Sequence, residues 1–151
     1  MFVANYIGLL HKSENDLRNA FQKVSDEHKD EPDIEEVCKE LASWSEVHVN
    51  NMQSIIDRYK EHKEDEPDNL LKTLFHGVRK GGLGLLRDLH DLYLLASEVE
   101  LTYTVILQAS LALRDSELEN LCKDSMKETT RQINWIKTRI KQAAPQTLVA
   151  A

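Results

Sequence analysis

Apolar residues recur along this chain at alternating spacings of three and four, the period that sets one stripe of an α-helix against a partner. Val3, Ile7, Leu10, Leu17, Phe21 and Val24 make the first stripe, with Glu14 inside it and His28 at its end. Val37, Leu41, Trp44, Met52 or Asn51, Ile55 and Tyr59 make the second, and His48 interrupts it. The third runs through Leu85 or Leu86, Leu89, Tyr93, Ala96, Tyr103, Leu107 and Ser110 around Glu100. The fourth runs through Leu118, Leu121, Ser125, Gln132 and Trp135 around Glu128, flanked by Cys122, Thr129, Ile133, Ile136 and Ile140. These stripes predict helices near 2–29, 33–64, 84–114 and 116–142.

Breakers fall between the stripes. Pro32 and Pro67 each stand in a Glu-Pro-Asp turn, glycines cluster from Gly77 to Gly84, and Pro145 lies near the end. Asp33 and Asp68 are expected to cap the helices that follow, because a short acceptor side chain satisfies amides left free in a first turn. No proline or glycine occurs between Gly84 and Pro145, yet a single helix of that length would reach about 90 Å. The polar run from Arg114 to Glu117 is therefore the expected break, with Asp115 or Ser116 as the next N-cap. Residues 69–78 are expected to add a short helical turn, residues 1–145 to form one bundle domain, and 146–151 to be a flexible tail. The fold class is all-α, an antiparallel four-helix bundle.

Composition narrows the function. The chain has 151 residues, enough for one sizeable core, with 41% apolar and 30% charged residues and only 5 Gly and 3 Pro. Collagenous, disulfide-stapled and disordered classes do not fit these values. A formal net charge of -7 opposes phosphate backbones and anionic lipid, so no nucleic-acid partner is expected. No run approaches the roughly 20 apolar residues of a membrane span, so no membrane partner is expected either. Met1 to Leu10 lacks a basic leader and reads as a helix start. Cys38 and Cys122 lie far apart without a metal-binding or redox spacing, which suggests reduced thiols and a cytoplasmic location.

Each stripe thus carries one metal-competent side chain: Glu14, His48, Glu100 and Glu128. Glu14 and His48 are equally distant from the turn at residue 31, and Glu100 and Glu128 nearly so from the turn at 115, so all four are expected at one level near mid-helix. Three carboxylates there need neutralising by protons, an arginine or a metal ion.

In these positions the chain resembles the ferritin-like superfamily, in which helices A and C each give a carboxylate and helices B and D each give a Glu-x-x-His, together holding two metals. Glu14 and Glu100 match the carboxylates of helices A and C, His48 the histidine of helix B, and Glu128 the glutamate of helix D. Ser45 stands where helix B should supply glutamate, and Arg131 where helix D should supply histidine. The resemblance implies one metal ion in the bundle core, iron or manganese, with an oxidative or storage role and a homo-oligomer, expected as a dimer. Arg131 is expected to form a structural ion pair with Glu100 or Glu128. The alternative is a metal-free bundle with a vestigial Glu/His/Arg cluster that serves as an interaction or dimerisation module. A third class, a pocket for a small apolar ligand, would need a cavity beside Trp44, Tyr93 and Trp135.

Overall fold

The structure, a computed structural model, describes residues 1–66, 68–71, 75 and 77–150. Among them the regular elements are all helical: α1 (Val3–Glu27), α2 (Pro32–Asn51), α3 (Gln53–Tyr59) with a 3-10 turn (Lys60–His62), α4 (Gly81–Leu113) and α5 (Ser116–Leu148). α2 and α3 are one stretch offset at Met52, so four long helices pack together. One core runs through them, built on fully buried Leu10, Leu17, Phe21, Ile55, Leu89, Tyr103 and Ile136 among others. Each buried Leu, Ile or Phe contributes about 1.5–3 kcal/mol over leaving it in water. No helix among the described residues is long and apolar enough to cross a membrane.

Three of the expected boundaries shift, each for a local reason. α2 begins at Pro32 with no side-chain cap, and Asp33 lies in its first turn. Proline at the first helical position gives up an amide that would be unpaired anyway, so the cap is dispensable. α4 begins at Gly81, whose φ of 76° only glycine adopts freely. α5 continues through Pro145 to Leu148, although the tail was expected from 146. A proline blocks only its own amide and crowds the carbonyl one turn back, and at Pro145 that carbonyl belongs to solvent-exposed Lys141. The break after α4 falls where expected: Arg114 adopts a left-handed φ of 55°, and Asp115 caps α5 by accepting from the Leu118 amide at 3.1 Å. The helical turn expected over 69–78 lies partly outside the described residues, and 77–80 has no regular structure.

Side-chain contacts tie the helix ends together. Arg58 and Tyr59, at the end of α3, bind Asp115 at the start of α5, with Arg58 Nη1 and Tyr59 Oη at 2.7 and 2.6 Å from Oδ2. Arg139 of α5 reaches Asp33 at 2.7 Å and Glu31 at 3.3 Å in the α1–α2 turn. The connection from α3 to α4 meets α1 at three levels. Buried Asn5 exchanges bonds with the Glu64 backbone, Phe75 lies under Lys23, and Arg79 shares Asp88 with His28. The described residues of the connection thus lie near the first turn of α1 at Glu64, beside Lys23 at Phe75, and next to the end of α1 at Arg79.

Candidate functional site

Halfway along the bundle, one polar group from each long helix enters the core. Glu14 of α1 is fully buried between Leu10 and Leu17. His48 of α2 is 2% exposed and lies between two carboxylates: Nδ1 is 2.7 Å from Glu14 Oε2, and Nε2 is 2.8 Å from Glu128 Oε1 of α5. Tyr103 of α4, also fully buried, donates to the same Glu14 Oε2 at 2.6 Å. Glu14 Oε1 is buried with no partner. Glu128 keeps 39% of its side chain exposed and connects the cluster to solvent.

The protonation state follows from the donor count. A neutral imidazole has one N–H, whereas two ionised carboxylates at hydrogen-bond distance need two. Burial by itself would lower the His48 pKa. The hydrogen bonds and charges of Glu14 and Glu128 outweigh it, and the net displacement is upward from the ordinary histidine value. The upward displacement favours the imidazolium, the form that can donate from both nitrogens at once. Burial, reinforced by the adjacent Glu14 charge, pushes the Tyr103 phenol well above its usual range and keeps it a donor.

One turn away, Gln132 extends the polar layer. It is fully buried and donates through Nε2 to Leu41 O and Ser45 Oγ, both at 3.0 Å, while its Oε1 has no partner. Ser45, at the position where the family places a glutamate, thus serves a neutral hydrogen bond.

Of the residues expected at this level, Glu14, His48 and Glu128 come together and Glu100 does not. Glu100 is half-buried at the edge of α4, 3.4 Å from Thr130 Oγ1 on α5. The core face of α4 is Leu85, Leu89, Leu92, Ala96, Val99, Tyr103 and Ile106, which is turned by one residue from the expected stripe at 93, 100 and 107. Arg131 is also a correction: it is exposed and enters no ion pair among the described residues. The core face of α5 passes through Cys122, Ser125, Thr129, Gln132 and Ile136, and this turns position 131 to solvent. The cation expected from Arg131 is supplied by His48. The bond of Tyr103 to Glu14 follows from the same turn of α4.

The residues present do not fit the two-metal centre of the ferritin-like superfamily. Glu100 is absent from the cluster, and Ser45 and Arg131 cannot supply the missing glutamate and histidine. A single ion on His48 would have to displace a carboxylate and a ring proton, because Glu14 and Glu128 lie against opposite nitrogens of one ring, each placed to accept its N–H. Among the described residues no group of three or more His, Cys, Asp or Glu side chains is disposed to hold a metal. Covalent chemistry finds no thiolate either: Cys38 and Cys122 are buried and free, and burial pushes both up to about 12. Trp44, Tyr93 and Trp135 pack half-buried against the core. Comparison with protein-family models, curated proteins and solved structures finds no match to this chain.

Proposed function

We propose that the chain is a ferritin-like antiparallel bundle in which an ionic triad takes the place of a metal centre, and that it acts as a metal-free interaction module. Glu64 beside the first turn of α1 and Arg79 beside its last support the family's connectivity, in which one long crossover joins the second and third long helices. The observation that carries the metal-free reading is the His48 ring, with both nitrogens engaged by carboxylates. An imidazolium there offsets the buried Glu14 charge and faces the half-exposed Glu128, the task a metal ion performs in a ferritin-like core.

The test is elemental analysis of protein purified without chelators, followed by titration with iron(II), manganese(II) and zinc. The expected result is no stoichiometric metal and no rise in Tm. A second reading, one ion held by Glu14, His48 and a further carboxylate, is favoured by the unpartnered Glu14 Oε1. One ion bound per chain, lost in Glu14→Gln, would establish that second reading instead. Saturating metal at a hundredfold above Kd would then add about 2.7 kcal/mol of stability.

A further inference from the structure

α4 is apolar on two opposite faces. Its inner face is the core stripe, whereas Leu83, Leu94 and Leu101 are 61%, 57% and 61% exposed on the outer face. At 3.6 residues per turn these three positions fall within about 20° of one another and make a stripe about 27 Å long. Arg87 is exposed on one flank of that stripe, and half-buried Glu98 lies on the same flank within about 20° of it. Neither forms an ion pair among the described residues. A helix apolar on both sides normally has both sides covered.

We infer that the outer face of α4 binds a second copy of this chain, antiparallel about a two-fold axis passing between Leu92 and Tyr93, with Arg87 of each copy paired to Glu98 of the other. The inference rests on the interaction-module reading and names its partner. In an antiparallel two-fold pair, each flank of one helix meets the same flank of the other, so Arg87 and Glu98 can pair twice. That pairing fixes the register. It brings the two Leu94 side chains together at the axis and sets each Leu83 beside Leu101 of the other copy. Sliding the axis to between Ser97 and Glu98 would also align leucines, but it brings the two Glu98 carboxylates together and leaves Arg87 opposite Gln108. Charge therefore selects the first register. Three leucines and one flanking charge pair per copy make a small contact, so the dimer is expected to be a reversible one.

Sedimentation equilibrium of the full chain over a concentration series tests this. Wild type is expected to show a monomer–dimer equilibrium, weakened about tenfold or more by Leu94→Glu at the axis. Arg87→Glu is expected to weaken it too, and the double exchange Arg87→Glu/Glu98→Arg to restore it to near wild type. All three positions face solvent or its edge, so circular dichroism is expected to show an unchanged helix content. A wild-type chain that stays monomeric overturns the inference, as does a dimer indifferent to Leu94→Glu or one not restored by the double exchange. Metal titration of the Leu94→Glu monomer reports on the core independently, so a failure of the metal-free reading and a failure of the interface give different results.

Discussion

Two buried carboxylates in this bundle each hold a histidine, and they are satisfied in different ways. Asp88 and Glu14 are both fully buried, and their partners His28 and His48 are 3% and 2% exposed. Asp88 has donors on both oxygens: His28 Nε2 at 2.8 Å and the Arg79 amide at 3.0 Å on Oδ2, and the Arg79 amide and Nη1 at 3.1 and 3.0 Å on Oδ1. Glu14 takes two donors on one oxygen and none on the other. Arginine is charged at every accessible pH and the amide cannot leave, so the Asp88 cluster is a fixed clasp joining the end of α1 to the start of α4. The Glu14 cluster depends on a proton that His48 can lose. A buried anion answered by a ring together with a permanent cation and backbone is architecture, whereas one whose only cation is a titratable ring stays open to chemistry.

The largest expected effect is on the clasp. Asp88→Ala strands buried His28 and the Arg79 amide, while the Arg79 guanidinium keeps Asp91 at 2.9 Å, and is expected to cost about 3 kcal/mol in urea unfolding. Glu14→Gln is expected to cost less, about 1 to 2 kcal/mol, because the amide oxygen can still accept from His48 and Tyr103 while the new NH₂ takes the place already without a partner. Equal losses in the two variants would erase the distinction.

The pH dependence separates the clusters further. His48 has its pKa raised on folding, so its contribution is complete below the unfolded value near 6.5 and is lost as pH climbs through the raised value. Wild-type stability is accordingly expected to fall as pH rises above about 6.5, and His48→Gln to flatten that segment. A slope unchanged in His48→Gln would place the titrating group elsewhere.

The smallest effect is expected at Arg131, where Arg131→Ala should stay within about 0.5 kcal/mol of wild type because the side chain is exposed. A loss several times larger would return arginine to the cluster.

The two halves of the fold were unequally legible. α1 alternates apolar and polar so cleanly that Ile7, Leu10, Glu14, Leu17, Phe21, Val24 and His28 are all buried as its stripe predicts. α4 has leucines at 92, 94 and 95, with Tyr93 among them, so several stripes satisfy the same period, and the one through Glu100 is a residue away from the real one through Val99. Its second apolar face is the cause of that ambiguity. Asp88 is the eighth residue of α4 and sits among leucines, and no periodicity singles it out. Its partner Arg79 lies in an irregular segment whose course no periodicity describes. Likewise, the level of Glu14 with His48 could be read by counting from the turn. The rotation of α5 that brings Gln132 inward and sends Arg131 outward depends on packing across the bundle.

The central claim, a histidine kept charged between two carboxylates, is tested most directly by nitrogen-15 NMR of the His48 ring across neutral pH. Both ring nitrogens are expected to be protonated at pH 7, with a titration midpoint above 6.5 that falls in Glu14→Gln and in Glu128→Gln, and with no perturbation on adding iron(II) or zinc. A neutral ring at pH 7 with one bare nitrogen, or a ring signal displaced by one equivalent of metal, would contradict it.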